Sequence, residues 1–267
     1  MRTLIFWDVY GRIGRKALAK ELPVLREKYK PDFVIVNIEN CTSWRWPVTE
    51  HAQYISSLWV DVMTGWDHIF DNVENIESYF SQSDCNLIRP ANFYETKDLI
   101  WKGSIIIEKW WKRLLVMQLL GEVFMNPKVE NPFLKIDAIL MQYPRESYDV
   151  AILDFHRETT AEMYGMSYHV DGKLGLVYGT HTHIQTNDAH ILPLWTGMIT
   201  DVGMNGPRNS VIGAHFPSVH KRFLSGIQRG KIQQETQGDY IISALFAEFD
   251  EKTWICTSIE NISYTWK

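Results

Sequence analysis

The chain has 267 residues, enough for one large domain with a substantial core or for two small ones. Hydrophobic residues make up 45% and charged residues 22%, an ordinary globular balance, and the net charge of −5 argues against non-specific binding to nucleic acid or to an anionic membrane. No stretch approaches the ~20 apolar residues that span a bilayer, no signal-peptide core opens the chain, and Cys41, Cys85 and Cys256 lack zinc or redox spacing, so reduced thiols and a cytoplasmic location are expected.

Thr3 to Trp7 reads as a buried strand. Leu18, Leu22 and Leu25 recur at helical spacing and predict a helix over about 13–28. Pro31-Asp32 breaks it before a second buried strand, Phe33 to Val36. A helix over Glu50 to Leu58 leads to a third apolar run, Trp59 to Met63. This alternation argues for a parallel sheet with right-handed crossovers. The middle differs: Ile105 to Ile107 and Leu114 to Met117 flank Lys109-Trp110-Trp111-Lys112-Arg113 and read as a hairpin, part of a strand-rich insertion near 85–130. A helix from Pro132 to about Gln142 precedes buried strands at Val150 to Leu153 and Leu174 to Tyr178. Tyr240 to Phe249 and Thr253 to Tyr264 read as two antiparallel strands. The expectation is one α/β domain over 1–267, with two sheets packed together.

Ligands of open α/β sheets bind beyond the carboxyl ends of the strands. Five such ends carry groups able to bind metal or move protons. They are Asp8; Asn37 with Glu39 and Asn40; Asp67 with His68; Asp154 with His156; and His181 with His183. Each has a plain reading as a turn residue, a helix cap or a satisfied histidine. Turn chemistry gives no reason for imidazoles and carboxylates to recur at one sheet edge. The His181-Thr182-His183 spacing adds two imidazoles on one side of extended backbone. The set is carboxylate, amide oxygen and imidazole without thiolate, which suits manganese, iron or zinc. It exceeds the need of one tetrahedral ion, so the expectation is a two-metal site with a bridging carboxylate, its ions ~3.5–4 Å apart and clamping the attacking and leaving oxygens of a phosphoester.

Several segments, in order along nearly the whole chain, then resemble a known family. They are Asp8-Val9-Tyr10-Gly11, Asn37-Ile38-Glu39-Asn40, Asp67-His68 with Asp71, and Arg89-Pro90-Ala91-Asn92-Phe93. Val123-Phe124-Met125-Asn126-Pro127 and Asn131-Pro132-Phe133 follow, then Asp154-Phe155-His156, Gly179 to His183, and Thr200-Asp201-Val202-Gly203-Met204. The chain resembles the calcineurin-like metallophosphoesterases, and within them the bacterial 2′,3′-cyclic-nucleotide 2′-phosphodiesterase branch. The resemblance implies a four-layer α-β-β-α sandwich of two mixed sheets flanked by helices. It implies one metal held by Asp8, Glu39, Asn40 and His183. It implies a second held by Glu39, Asp67, His156 and His181, with Glu39 bridging and iron or manganese favoured over zinc. It also implies a hydroxide between the metals as nucleophile, His68 as proton donor, and a cyclic nucleotide opened to a 3′-nucleotide.

The chain departs from that pattern at named places. The family usually carries Asn at Asp67 and glycine at Trp7, Ile38 and Trp66, and its His-Gly loop is replaced by Ser43-Trp44-Arg45-Trp46-Pro47. The extra carboxylate predicts tighter metal and weaker phosphate binding, and the indoles predict a crowded or reshaped site. Two other readings stand beside the diesterase. One is a metal-dependent phosphatase or diesterase of another substrate, such as RNA ends. The other is a metal-binding regulator that retains the fold. A homo-oligomer is compatible with the sequence, and the aromatic-basic stretches at 44–46 and 109–113 offer bases a weaker surface.

Overall fold

The computed structural model describes residues 1–42, 47–71, 73–94, 101–126, 128–226 and 232–266, the side chain of Asp67 apart. In chain order the first half holds β1 (Arg2–Phe6), α1 (Gly11–Tyr29), β2 (Phe33–Asn37), α2 (Thr49–Ser56), β3 (Val62–Thr64), α3 (Glu77–Phe80), β4 (Leu87–Ile88), β5 (Ser104–Lys109) and β6 (Lys112–Leu120). The second half holds α4 (Pro132–Gln142), β7 (Val150–His156), α5 (Thr160–His169), β8 (Leu176–Thr180), β9 (His190–Ile191), β10 (Gly197–Ile199), β11 (Gly206–Pro207), α6 (Phe216–Ser225), β12 (Tyr240–Phe249) and β13 (Cys256–Trp266).

Strand pairing sorts these into two mixed sheets. One has the order β11-β12-β1-β2-β3-β4, with β13 also on β12; the other runs β5-β6-β7-β8-β10-β9. The four strands β1 to β4 are parallel, as are β6, β7, β8 and β10, and β12 and β5 add antiparallel flanks. The segment 85–130 supplies β4 to the first sheet and the β5–β6 hairpin to the edge of the second.

Side-chain alternation decides the layers. From β1, Leu4 and Phe6 join the core under Leu18, Leu22 and Leu25 of α1 and Ile55 of α2, whereas Ile5 turns the other way. From β7, Leu153 and Phe155 join Ile136 and Ile139 of α4 and Met163 and Met166 of α5, whereas Ile152 turns the other way. The inward residues of both sheets, Ile5 and Ile35 facing Val116 and Ile152, form one core between the sheets. The result is the four-layer α-β-β-α sandwich expected from the sequence.

Two boundaries differ from the reading. The run at Trp59 does not start a strand: Trp59 has φ +66 and 82% exposure, and β3 begins only at Val62. A left-handed turn places the indole outside, so an apolar run misleads here. β7 runs on through Asp154 and His156, because His156 pairs with Leu120 on one side and Thr180 on the other. Helix α5 has too weak an apolar face to announce itself; its start is capped by Thr159, whose Oγ1 accepts from Glu162 N at 3.4 Å.

Candidate functional site

The carboxyl ends of β1 and β2 bring Asp8, Glu39 and Asn40 together. The Asn40 side-chain amide donates to Asp8 Oδ1 at 3.0 Å, and Gly11 N donates to the Asn40 carbonyl at 2.8 Å. Asp8 is fully buried at φ +33, and Asn205 N donates to its carbonyl at 3.0 Å. Glu39 N donates to Asn37 Oδ1 at 3.1 Å, and the Asn37 amide reaches across to the Thr64 carbonyl at 3.0 Å. Asn37 thus fastens β2 to β3 and leaves the site itself to its two successors. The Glu39 carboxylate accepts the backbone amides of Trp66 and, at 2.5 Å, of His68. That single side chain fixes the turn on which His68 stands. His68 Nδ1 lies 2.9 Å from Asp71 Oδ2, and the imidazole is half-buried.

The second sheet supplies the other imidazoles. His156 is buried at the end of β7, with Nδ1 3.1 Å from Thr180 Oγ1 and Nε2 3.0 Å from His181 Nδ1. His181 Nε2 lies 2.8 Å from Glu158 Oε2. His183 turns away from these two and toward the first sheet, its Nε2 2.7 Å from Asp8 Oδ2 and its Nδ1 donating to the Ile212 carbonyl at 2.9 Å. Burial works against the His183 imidazolium, but the Asp8 carboxylate prevails and lifts its pKa to about 8. His181 and His183 have φ of +116 and +64, so the two rings are sent apart by a loop in unfavourable backbone rather than by extended strand. The sequence expectation of one shared direction does not hold, because β8 stops at Thr180.

The indoles at Trp7 and Trp66 do not fill the mouth of the site. Both are buried between the sheets with ring centroids 4.9 Å apart, and Trp7 meets Tyr178 edge-on at 5.0 Å. Trp66 also stacks on His156 at 4.0 Å and 20°, so it forms the inner wall against that ring. Ile38 packs in the outer core under α1. The Asp67 side chain and the segment 43–46 lie outside the described residues.

Three buried residues near the site escaped the sequence reading as site residues or were left open. Asp154 sits among Trp66, Gln118 and Tyr178, and burial raises its pKa well above the carboxylate range. Asn205 ties the β1 end to β12, its amide donating to the carbonyls of Trp7 and, at 2.9 Å, Ser243. Arg157, directly after His156, is 1% exposed. Its only sequence signal is a charge abutting a strand that has no room for one. A cavity of about 470 Å³, lined by Val211, Ile212, Val219, Arg222 and Phe223 among others, shares Ile212 with the His183 contact.

The donor chemistry, carboxylate, amide oxygen and imidazole without thiolate, is of the kind that holds divalent or trivalent metal. Asn40 Oδ1 is buried with no hydrogen-bond partner among the described residues, beside a carboxylate oxygen of Asp8 that itself faces an imidazole nitrogen. His156 and His181 present nitrogens to each other at 3.0 Å, a contact in which at most one can donate. Among the described residues the donors are engaged in these pairs, and no three His, Cys, Asp or Glu side chains form a ready cage.

The architecture is a four-layer sandwich of two mixed sheets flanked by helices. The chain belongs to the family of YmdB-like proteins, whose family model matches residues 4–262. It is 34% identical over 262 residues to the 2′,3′-cyclic-nucleotide 2′-phosphodiesterase of Bacillus subtilis (strain 168), which covers 98% of this chain and 96% of that one. Among solved structures, a novel phosphatase from Mycoplasma pneumoniae is 29% identical with a TM-score of 0.89, covering 99% of this chain and 93% of that one. A hypothetical protein from Thermus thermophilus is 28% identical, also at 0.89, covering 99% of each chain. No helix among the described residues is long and apolar enough to cross a membrane.

Proposed function

We propose that this protein is a metal-dependent phosphoric ester hydrolase acting on phosphodiesters, and that it opens 2′,3′-cyclic nucleotides at the 2′-oxygen to leave 3′-nucleotides. The observation that carries the reading is the place of Glu39: it directly precedes Asn40, whose amide donates to Asp8, and its carboxylate accepts the amides of the Trp66–His68 turn, whose indole stacks on His156. A bridging role for this side chain is supported by that position, beside one group of donors in the chain and holding the turn next to the other. The 34% identical phosphodiesterase of Bacillus subtilis supports the substrate class.

Asp8, Glu39, Asn40 and His183 would hold one ion, and Glu39, Asp67, His156 and His181 the other, with iron or manganese favoured. When bound, two such ions lower the pKa of a water and neutralise charge on phosphoryl oxygens. The chain's own groups do the rest. His68 carries the proton for the leaving oxygen on Nε2, with the ring set by the Asp71 contact at Nδ1. The Ile212 carbonyl fixes the proton of His183 on Nδ1 and leaves Nε2 to face the Asp8 side. The apolar cavity that begins at Ile212 offers a wall to the organic part of the ester.

The test is elemental analysis of protein purified without added metal, joined to an ester panel with Mn²⁺. The panel contains 2′,3′-cyclic nucleotides, RNA ending in a cyclic phosphate, an aryl diester and an aryl monoester. Two ions per chain and release of 3′-nucleotide are expected. Faster turnover of the monoester would reassign the protein as a phosphatase, and bound metal without turnover of any ester would make it a metal-binding regulator.

A further inference from the structure

We propose that Arg157 and Asp201 form a buried clamp that sets the backbone of the His181-Thr182-His183 loop and so positions both imidazoles. Arg157 Nη1 donates to the Thr180 carbonyl at 3.1 Å, immediately before His181, and Nη2 donates to the Thr200 carbonyl. Asp201 Oδ2 lies 3.7 Å from Arg157 Nη1 and accepts the amide of Thr182, between the two histidines, at 3.0 Å. Its Oδ1 accepts from Gly203 N at 2.9 Å, so the carboxylate is held from behind. Arg157 is 1% exposed and Asp201 0%.

The packing around the pair is specific. A Cβ at Gly179 would lie 1.9 Å from the Thr200 carbonyl oxygen and 2.8 Å from Arg157 Nη2, so β8 must carry glycine there for the guanidinium to reach both strands. The need for a clamp is visible in the loop itself. His181 and His183 both have positive φ, a conformation that persists in non-glycine residues only where surrounding contacts over-determine it. A buried ion pair gives little net stability over an apolar replacement. Its benefit here is geometric: the cation holds the Thr180 carbonyl just before the loop and the anion holds the Thr182 amide within it. Arg157 also follows His156 directly, so the clamp ties the ends of β7, β8 and β10 to one another.

The proposal rests on the metal reading of the histidines only for its functional consequence, and two readouts keep the matters apart. Arg157→Lys, Arg157→Met and Asp201→Asn are compared with the parent by hydrogen exchange of the metal-free protein and by Mn²⁺ titration calorimetry. Loss of a hydrogen bond to a charged group should speed exchange at residues 180–183 by about 10-fold or more. Amides of β1 and β12, in the other sheet, should keep parental rates, which a general loss of stability would not allow. Mn²⁺ should bind about 10–100-fold more weakly. If Arg157→Met does not fold, Arg157→Lys and Asp201→Asn, which keep most of the buried volume, decide the matter. Parental exchange across 180–183, or parental Mn²⁺ affinity in a folded variant, overturns the clamp. If the parent itself takes up no Mn²⁺, the metal reading falls and the exchange rates alone judge the clamp.

Discussion

At the amino ends of the strands, charges neutralise one another. Lys112 Nζ sits 2.9 Å from both carboxylate oxygens of Asp32 and 2.7 Å from Glu251; Lys109 pairs with Asp61 at 2.6 Å and Arg2 with Glu248 at 2.6 Å. At the carboxyl ends the arrangement reverses. Among the described residues, carboxylates there meet imidazoles rather than lysines, Asn40 Oδ1 is left without a partner, and buried Asp8 contacts His183 and the Asn40 amide. Both ends contain left-handed residues, such as Trp59 and Trp110 at one and Asp8, His181 and His183 at the other. Backbone strain alone therefore does not mark the site. Carboxylates paired with imidazoles in strained backbone do.

The sharpest way to break this contrast is Glu39→Gln. The glutamine keeps one acceptor and turns an amide group toward a backbone donor, leaving Trp66 N or His68 N unsatisfied at a cost of about 1–3 kcal/mol. Metal content should fall at both positions and hydrolysis should drop to background, as read by elemental analysis and initial rates. Retention of two ions would remove Glu39 as the bridge.

His68→Ala separates proton transfer from metal binding. The residue contributes no donor to the proposed shells, so metal content should stay parental while the rate falls ~10²–10⁴-fold. A parental rate on diesters would show that the leaving oxygen takes its proton elsewhere. A matched Asp71→Asn, which keeps the contact but not the charge, should cost less than His68→Ala.

Trp66→Ala asks whether the indole obstructs the site or supports it. With Trp66 stacked on His156 and packed against Trp7, truncation should destabilise the fold by about 3–5 kcal/mol and loosen His156. An unchanged melting temperature with faster hydrolysis would restore the view of a crowded site.

The layers were legible because β1, β2, β7 and β12 are largely continuous apolar runs of five or more residues, as strands buried on both faces must be. Of the strands of two or three residues, β3 lies in an apolar run visible in the sequence, whereas β4, β9, β10 and β11 are too short to carry any period and exist through their partners. The site was legible as a recurrence of polar groups at strand ends, and the resemblance alone divided them between ions. The strand pattern by itself could not reveal that His181 and His183 point apart, which depends on where β8 stops. Arg157 was illegible for a related reason. A lone arginine after a strand reads as a solvated charge, and only the approach of β10 across Gly179 makes it a buried one.

The smallest effect is expected from Lys112→Met, at the opposite end of the sheets. Burial works against the Lys112 charge, but the Glu251 and Asp32 carboxylates prevail and hold its pKa above the ordinary lysine value. A raised lysine pKa means that the contribution is complete below the unfolded value and is lost only as pH rises through the folded one. At neutral pH the substitution should therefore cost a fixed amount, about 1–3 kcal/mol, because Lys112 and Asp32 are only 16% and 14% exposed and Asp32 loses charged hydrogen bonds. The loss should shrink in high salt, which screens the parent's ion pairs and leaves methionine unaffected. Hydrolysis should stay parental, because Lys112, Asp32 and Glu251 lie at the ends of the sheets opposite the candidate site. Melting curves at low and high salt, with rates on the same samples, make the comparison. A Lys112→Met protein with parental melting but altered hydrolysis would mean that the two ends of the sheets are coupled, and the separation drawn between them would fail.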